Sequence, residues 1–271
     1  MEAVKLDVVL RGDTLAKETA LITGASSGIG LELAKLLAAD GCDLVLVARR
    51  EDKLLELADG LRRQHEVEVR LVVKDLSDSA APQQIFDEIT QAGIVVDVLV
   101  NNAGFGARGK LAEIDLPLQL DMVEVNVKAL LHLTRLFLPG MLARGRGGVL
   151  NVASTAAFQP GPNMAVYFAT KAFVLSLSEA LAEELRGAKV RVCCLAPGPT
   201  ATGFAAAAAM EDANLFALGA LSAEYVARAG YRGFRRGKAV VVPGVGNKLI
   251  AFGVRLTPRW LVRRIAAQSP R

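Results

Sequence analysis

Short apolar runs alternate with longer amphipathic segments along most of the chain. The runs are continuously apolar, which is typical of strands covered on both faces of a parallel sheet. Between them, segments such as GIGLELAKLLAADG (28–41) and EDKLLELADGLRRQ (51–64) repeat apolar residues every three or four positions, which predicts helices. The predicted strands are 20–24, 43–48, 69–73, 97–101, 148–154, 190–196 and 239–243.

This alternation predicts an α/β fold: a single Rossmann-like domain, doubly wound, with a seven-stranded, mainly parallel sheet and helices on both faces. No linker rich in Ser, Gly or Pro divides residues 1–271, and no internal repeat is visible. We therefore expect one domain that binds the cofactor and carries catalysis. The region 203–238, which includes FAAAAAM, is expected to form a substrate lid or insertion, because long connections are often functional.

The composition is that of a folded, soluble protein, with 52% apolar and 22% charged residues. The three cysteines and two histidines show no metal-ligand spacing, so we expect no metal. The N-terminus carries charges through its short apolar part, unlike a signal peptide. The charge-free stretch 192–210 is interrupted by Pro and Gly, so we expect no membrane span there. A cytoplasmic protein without a nucleic-acid partner is the resulting expectation.

Charge is unevenly distributed along the chain. From residue 225 to the end there are 11 Lys or Arg and no Asp or Glu, which leaves 21 basic and 28 acidic residues in the remainder. The tail 245–271 mixes these cations with Leu, Ile, Phe, Val and Trp. Such a tail could be an interfacial helix attracted to anionic lipid or to an acidic partner. The alternative, which the sequence alone favours, is a segment that packs on its own body or on another subunit.

The segment TGASSGIG (23–30) follows the first predicted strand and opens the first predicted helix. Its glycines allow a tight turn and a close approach to a ligand, and the helix N-terminus offers free N–H groups to a phosphate. A plain strand-to-helix turn is the alternative. The segment predicts a dinucleotide site formed by Gly24, Ser26, Ser27, Gly28, Ile29 and Gly30.

The end of the second predicted strand, LVARRED, bears on the choice of dinucleotide. Sites for NAD place an acidic residue here to bind the ribose. In this chain Ala48 takes that position, and Arg49 and Arg50 follow. An Arg pairs well with a 2′-phosphate, whereas an Arg pair at a helix start opposes the helix dipole unless an anion is present. An ordinary basic helix start is the alternative, but the sequence favours NADP(H) over NAD(H).

Taken together, the motifs resemble those of the short-chain dehydrogenase/reductase family over nearly the whole chain to about position 202. They are TGASSGIG, DL (75–76), NNAG (101–104), Asn126 in VNVK, Ser154 in NVAST, YFATK (167–171) and PGPTAT (197–202). The resemblance implies that Asp75 and Leu76 lie near the adenine. It also implies further cofactor contacts, along the cofactor from Asn102, Ala103 and Gly104, and near the nicotinamide from Pro197, Gly198, Thr200 and Thr202.

Tyr167 and Lys171 stand four residues apart, so they share one face of a predicted helix. A free tyrosine has a pKa of about 10, and a nearby ammonium favours the phenolate, so we expect Lys171 to lower the pKa of Tyr167. The resemblance implies that Tyr167 exchanges a proton with a carbonyl oxygen that Ser154 also hydrogen-bonds. It further implies that Lys171 binds the nicotinamide ribose and that Asn126 holds a helix distortion and a proton-relaying water.

The sequence therefore predicts NADPH-dependent reduction of a ketone or aldehyde to an alcohol, of the carbonyl or 3-oxoacyl reductase type, on an apolar small-molecule substrate. Two alternatives stay open: an NAD(P)-dependent alcohol or steroid dehydrogenase working in the oxidative direction, and a catalytically silent NADP-sensing scaffold. Family members usually pair through their long helices, here about 115–142 and 165–187, which implies a homodimer or homotetramer. Five residues are expected to line an apolar pocket or to pack in the core: Phe105, Phe158, Met164, Phe204 and Met210.

Overall fold

The computed structural model describes residues 17–202 and 220–268. Within these ranges the strands are β1 (Thr19–Thr23), β2 (Asp43–Ala48), β3 (Val69–Val73), β4 (Val98–Asn101), β5 (Gly147–Val152), β6 (Val190–Leu195), β7 (Thr200–Ala201), β8 (Leu221–Ser222) and β9 (Val240–Val241). The α-helices are α1 (Gly28–Ala39), α2 (Glu51–Gln64), α3 (Ala81–Gln91), α4 (Leu116–Val123), α5 (Leu130–Arg144), α6 (Ala165–Glu184), α7 (Ala223–Arg235), α8 (Val245–Leu256) and α9 (Arg259–Gln268). A π-helical turn (Glu124–Ala129) joins α4 to α5, and a 3₁₀-helix (Thr155–Phe158) follows β5.

Seven of these strands form one sheet in the order β3-β2-β1-β4-β5-β6-β9, and every neighbouring pair is parallel. In this sheet Ile22 of β1 pairs with Leu46 of β2 on one side and with Val100 of β4 on the other. The short strands β7 and β8 pair separately, also in parallel. The predicted α/β fold with a seven-stranded sheet is therefore confirmed.

Helices cover both faces of the sheet, and the apolar core is divided accordingly. In β1, Ala20 and Ile22 face the layer that contains α1, α2 and α7, whereas Leu21 faces the layer that contains α3 and α5. All three side chains are fully buried. Burial on both faces explains why the central strands have continuously apolar sequences.

The second part of the expected insertion contains a helix of the core. Ser222 caps α7 by accepting a hydrogen bond from the backbone N–H of Tyr225 at 3.1 Å, and Val226 and Phe234 are fully buried. A Cβ at Gly230 would lie 2.5 Å from the side chain of Leu195, so this glycine lets α7 approach β6 closely. Residues 203–219, the first part of the predicted lid or insertion, lie outside the described residues.

Helix α6 is, among the helices of residues 17–202 and 220–268, the one long and apolar enough to cross a bilayer by length and composition. One face of it, with Tyr167, Lys171, Val174 and Ser178, is buried in the protein. In this fold α6 therefore serves as a core helix that lies beside the end of β5.

Candidate active site

A cleft opens at the carboxyl edge of the sheet, where the strand order changes direction between β1 and β4. It holds a cavity of about 880 Å³. Two of the predicted site residues do not line the cavity but pack against residues that do: Gly30 lies against Asn102, and Asn126 lies against Gly104. The other sequence-predicted site residues all line the cavity: Gly24, Ser26, Ser27, Gly28, Ile29, Arg49, Arg50, Asp75, Leu76, Asn102, Ala103, Gly104, Ser154, Tyr167, Lys171, Pro197, Gly198, Thr200 and Thr202.

Glycines allow the β1–α1 turn to run directly against the end of β4. Gly24 and Gly28 have positive φ angles of 65° and 57°. The side-chain amide of Asn102 donates to the carbonyl oxygens of Thr23 and Gly24, at 2.9 and 3.2 Å. A Cβ at Gly30 would lie 2.4 Å from that amide nitrogen. The glycine-rich turn and the NNAG segment therefore form one packed unit.

The N-terminus of α1 has the properties of a phosphate site. Among the described residues, Ser27 at the N-cap makes no side-chain capping hydrogen bond, and the first turn contains no Asp or Glu. The first N–H groups of a helix lack partners within the helix and favour an anion. Ser26 and Gly28 line the cleft at this point. The residues present therefore fit the pyrophosphate of a dinucleotide.

Two arginines border the same end of the cleft. Arg50 donates to Oγ of Ser26 at 3.0 Å, and Nη1 of Arg49 lies 3.5 Å from Oδ2 of Asp75. Burial acts to raise the pKa of Asp75, but hydrogen bonds from Ser77 and the Arg49 guanidinium outweigh it and lower that pKa. Both arginines are exposed at the rim of the cleft, where they can meet an additional phosphate.

Asn126 lies buried in the π-helical turn between α4 and α5. Its Nδ2 donates to the carbonyl oxygen of Phe105 at 2.9 Å and contacts Oγ1 of Thr170 at 3.0 Å, while its Oδ1 accepts from the N–H of Phe105 at 3.1 Å. A Cβ at Gly104 would lie 2.8 Å from Oδ1 of Asn126 and 3.2 Å from Nζ of Lys171. Asn126 therefore joins the NNAG segment to α6, close to the lysine.

Ser154 lies just beyond β5, which ends two residues earlier than predicted because Ser154 caps the 3₁₀-helix. Its Oγ accepts a hydrogen bond from the N–H of Ala156 at 3.1 Å, and it also hydrogen-bonds Tyr167. The N–H of Thr155 donates to the carbonyl oxygen of Pro197 at 2.8 Å. These bonds fix the serine hydroxyl beside the tyrosine and hold the loops after β5 and β6 together.

Tyr167 and Lys171 lie one turn apart on the buried face of α6. Nζ of Lys171 is 5.8 Å from the centre of the Tyr167 ring and donates to the carbonyl oxygen of Val152 at 3.0 Å. Burial lowers the pKa of Lys171 to about 8, because an ammonium is poorly solvated there. Burial also raises the pKa of Tyr167 to about 12, against the opposing effect of its hydrogen bond with Ser154.

The predicted lowering of the Tyr167 pKa by Lys171 is therefore wrong for the protein without a bound cofactor. Loss of solvation penalises the phenolate of Tyr167 more than its surroundings stabilise it. The tyrosine consequently keeps its proton at neutral pH. In chemical terms it is a proton donor in this state, hydrogen-bonded to a fixed hydroxyl group.

The loop after β6 closes the cleft from the side opposite the NNAG segment. Oγ1 of Thr200 donates to the carbonyl oxygen of Gly198 at 2.9 Å. A Cβ at Gly198 would lie 2.4 Å from Oδ1 of Asn247 in α8, and a Cβ at Gly28 would lie 3.0 Å from Cγ2 of Thr202. Both threonines of PGPTAT therefore reach the cleft, with Thr202 against the glycine-rich turn.

Part of the wall near Tyr167 was not predicted from the sequence. Phe168 packs around Tyr167 together with Phe105 and Met164. Four residues of the segment QPGPN (159–163) also line the cleft, namely Gln159, Gly161, Pro162 and Asn163, and the Pro and Gly content of the segment was the signal available in the sequence. Four further residues that were not predicted also line the cavity: Arg108, Leu118, Asp121 and Ala266.

The five apolar residues proposed for the pocket have different positions. Phe105 and Met164 line the cavity. Phe158 packs instead on the cluster that contains Val174 of α6. Phe204 and Met210 lie outside the described residues.

Cys193 and Cys194 are buried on opposite faces of β6 and pack in different apolar clusters. Burial raises the pKa of both thiols to about 12, so they remain protonated at neutral pH. In the described part of the chain there is no group of three or more His, Cys, Asp or Glu side chains that could hold a metal ion.

Comparison with known proteins agrees with this architecture. The family model described as short chain dehydrogenase matches residues 18–213. Sulfoacetaldehyde reductase 2 from Chromohalobacter salexigens is 39% identical over 186 residues, which cover 68% of this chain and 73% of that protein. The human very-long-chain 3-oxoacyl-CoA reductase is 35% identical over 195 residues, 69% of this chain and 61% of that protein.

Solved structures show the same fold. A short-chain dehydrogenase from Sphingobium yanoikuyae, determined in complex with NADPH, is 32% identical and superposes with a TM-score of 0.77, covering 88% of this chain and 94% of that one. The parallel sheet, the glycine-rich turn and the Ser–Tyr–Lys group define a nicotinamide-dependent oxidoreductase that acts on C=O or CH–OH groups. The chain belongs to the short-chain dehydrogenase/reductase family.

Proposed function

We propose that the protein reduces a ketone or aldehyde to an alcohol, with NADPH as the source of hydride. The observation that carries this proposal is the group formed by Ser154, Tyr167 and Lys171 at one end of the cleft, with Arg49 and Arg50 at the rim of its other end. The first group fits a carbonyl under reduction, and the second fits a phosphate.

The chain's own residues supply the proton and the orientation. A carbonyl oxygen placed between Oγ of Ser154 and the hydroxyl of Tyr167 accepts hydrogen bonds from both. When bound, the cofactor supplies the hydride that adds to the carbonyl carbon. Tyr167 donates its proton to the oxygen, and the ammonium of Lys171 stabilises the phenolate that remains. Asn126 holds the backbone beside Lys171 through its hydrogen bonds to Phe105.

The protonation state of the tyrosine gives each direction of the reaction a different pH dependence. Burial raises the pKa of Tyr167 to about 12, so the residue begins as an acid at neutral pH. Oxidation of an alcohol would require the phenolate as a base. The oxidative alternative therefore predicts turnover that increases steeply with pH, whereas reduction proceeds at neutral pH.

Two features of the rim support NADP(H) over NAD(H). Arg49 and Arg50 are exposed beside the cleft, and Arg50 already contacts Ser26 in the glycine-rich turn. Ala48 stands at the end of β2, where sites for NAD carry an acidic residue that binds the ribose hydroxyl. This chain therefore has no carboxylate at that position. An Arg at this rim can bind a 2′-phosphate with charge-assisted hydrogen bonds.

The surroundings of Tyr167 support an apolar substrate. Phe105, Met164 and Phe168 pack about the tyrosine. Arg108 also lines the cleft, so an aldehyde with an anionic group belongs in the substrate panel beside apolar ketones. Retention of activity toward the anionic aldehyde after Arg108→Gln would argue that the guanidinium does not bind the substrate.

The test is NADPH oxidation, followed by absorbance, against this panel with the wild-type chain and Tyr167→Phe. We expect the phenylalanine variant to lose turnover by about 10²–10⁴-fold, the usual contribution of a general acid. NADPH binding, measured by fluorescence, should persist, since the phenyl ring keeps the packing. Turnover near the wild-type level in the variant would overturn the assignment, and NADPH binding without turnover of any carbonyl would favour a sensing scaffold.

The assembly that fits this chain is a homodimer or homotetramer through the long helices. Leu116 and Leu120 of α4, Leu131 of α5 and Phe173 of α6 are exposed apolar side chains on those helices. Burial of such side chains between subunits would be favourable. Light scattering of the wild type and of Leu116→Ser with Leu120→Ser tests this, since a subunit contact predicts a smaller particle for the variant.

A further inference from the structure

Helix α8 packs on the protein with one face and exposes an apolar stripe on the opposite face. Asn247, Ala251 and Val254 follow one another at helical spacing and are buried or half-buried against the protein. On the opposite face, the four residues spaced i, i+4, i+7 and i+11 are all more than half exposed: Val245 (72%), Leu249 (66%), Phe252 (63%) and Leu256 (72%). We call these four the outer stripe of α8. A continuous apolar stripe of this kind marks an interaction surface.

Cations lie along one side of the outer stripe and beyond its end. Lys248 and Arg255 border the stripe on α8, and Arg259, Arg263 and Arg264 follow on α9. On α9 the guanidinium of Arg264 lies 5.5 Å from the centre of the Trp260 ring, and Trp260 itself is half-exposed. No Asp or Glu occurs in the sequence from residue 225 to the end. An apolar stripe, an exposed Trp and cations without any acidic residues are typical of helices that lie in a membrane interface.

The position of α8 and α9 links this surface to the cleft. Asn247 packs against Gly198, and Arg255 lies 5.7 Å from the centre of the Phe158 ring in the 3₁₀-helix that Ser154 caps. Arg255 also pairs with Glu179 of α6 at 3.6 Å. Ala266 of α9 lines the cavity itself. The two helices thus lie beside the cleft, with the outer stripe exposed on the face of α8 opposite Asn247 and Ala251.

Charge decides between a membrane and a second copy of the chain as the occupant. A symmetric contact brings the same surface patch of both subunits together. Through this face, cations of one copy such as Lys248 and Arg263 would meet only cations from the same segment of the other copy, because residues 225–271 contain no Asp or Glu, and this is unfavourable for association. An anionic lipid surface instead complements the charge and accepts the apolar stripe.

We propose that α8 and α9 dock the protein on an anionic lipid bilayer, with the outer stripe inserted among the headgroups and the cleft held next to the membrane. The substrate class that follows is a lipid-soluble carbonyl compound that enters the cleft from the bilayer. This second statement rests on the proposed function, whereas the docking does not.

The experiment is flotation of the full-length protein with vesicles of phosphatidylcholine, with and without phosphatidylglycerol. The wild type should float with the anionic vesicles and less so in high salt. Leu249→Ser with Phe252→Ser removes half of the stripe and should abolish flotation. The matched control, Leu55→Ser with Val95→Ser, changes two exposed apolar residues elsewhere and should float like the wild type.

The charge is tested in the same assay. Lys248→Gln with Arg263→Gln should weaken binding to anionic vesicles by about 30-fold, because each cation near such a surface contributes about fivefold. Arg236→Gln with Lys238→Gln, two exposed cations between α7 and β9, is the control and should have little effect. Equal weakening by both pairs would mean that general positive charge, and not this surface, attracts the vesicles, and would overturn the proposal.

Two further outcomes separate the possibilities. If the wild type does not float and the stripe variant is a smaller particle in solution, the face is a subunit contact and the proposal is wrong. Turnover of a long-chain ketone dissolved in the vesicles, compared with a water-soluble ketone, tests the substrate source. Flotation without any turnover would contradict the proposed function and leave the docking intact, and turnover without flotation would do the reverse.

Discussion

The buried lysine offers a quantitative test of the site. Lys171 is 5% exposed, and its ammonium donates to the carbonyl oxygen of Val152. Its pKa falls from 10.5 to about 8 because burial penalises the charged form. Lys171→Met keeps a side chain of similar length and removes the ionisable group, so the dependence of stability on pH should change.

The sign of the effect follows from the two protonation states. Below about pH 8 Lys171 is protonated in the folded and the unfolded chain, and the folded protein bears the full cost of the buried ammonium. From about pH 8 to 10.5 the unfolded chain holds a proton that the folded protein has released, so the free energy of unfolding increases with pH. The change from 10.5 to about 8 corresponds to about 3 kcal/mol.

The assay is urea unfolding of wild type and variant without cofactor, at about pH 7 and about pH 10, where circular dichroism reports folded protein. Tyr167 and Cys194 have raised pKa values, so both proteins lose stability through these groups at high pH. This loss is common to both proteins, so it is absent from the difference between their free energies of unfolding. We expect the difference in the free energy of unfolding to move by about 2–3 kcal/mol in favour of the wild type between about pH 7 and about pH 10.

The comparison does not depend on the absolute stability of the variant. Loss of the hydrogen bond to Val152 costs about 1–3 kcal/mol at either pH, so it drops out of the pH-dependent difference. Lys189→Met, at an exposed position before β6, is the control and should follow the wild type. If Lys171→Met shows the same pH dependence as the wild type, the lysine does not titrate as a buried group and the reasoning fails.

Three other changes test separate parts of the structure. Arg49→Gln should raise KM for NADPH by about 10- to 100-fold and hardly change KM for NADH, since a charge-assisted hydrogen bond contributes about 1.5–3 kcal/mol. Arg63→Gln on α2 is the control. Equal changes in KM for both cofactors would exclude a contact between Arg49 and the phosphate. Asn151→Leu should lower the free energy of unfolding by about 2–4 kcal/mol in urea unfolding, because it removes two buried hydrogen bonds, one to Asn101 of β4 and one to Ser178 of α6; unchanged stability would contradict this. Gly30→Ala should abolish NADPH binding in a fluorescence titration, because its Cβ would displace the amide of Asn102, and normal binding would show that the turn can adjust.

The sheet could be predicted because its strands are buried on both faces. Each central run, such as DLVLVA in β2, must be continuously apolar to contact helices above and below it, and that constraint is visible in the sequence. Helix α7 was predicted only as part of a lid or insertion, and not as a helix of the core, because its apolar residues Val226, Tyr231 and Phe234 are interspersed with Arg and Gly. The glycines read as breaks in a helical pattern, whereas in the fold Gly230 and Gly233 give room for Leu195 and Val241.

The cofactor half of the site was predictable because its residues are consecutive. A turn such as TGASSGIG carries its own geometry, since the positive φ angles require glycine at those places. The rest of the cavity wall is different, because Arg108, Leu118 and Ala266 reach the cavity from separate segments of the chain. Only the tertiary fold brings such residues together, so neither spacing nor composition could have identified them.

The tyrosine and the lysine show why a sequence pattern did not give the correct pKa. The spacing of Tyr167 and Lys171 predicted an attraction between ammonium and phenolate, which lowers the pKa of the phenol. Burial acts on both groups and favours the neutral form of each, raising the pKa of Tyr167 and lowering that of Lys171. Because burial penalises the charged form of each group, the effect of the ammonium on the phenol cannot be judged from spacing alone. The pair is therefore set to give a proton to a substrate rather than to take one, until further positive charge enters the cleft.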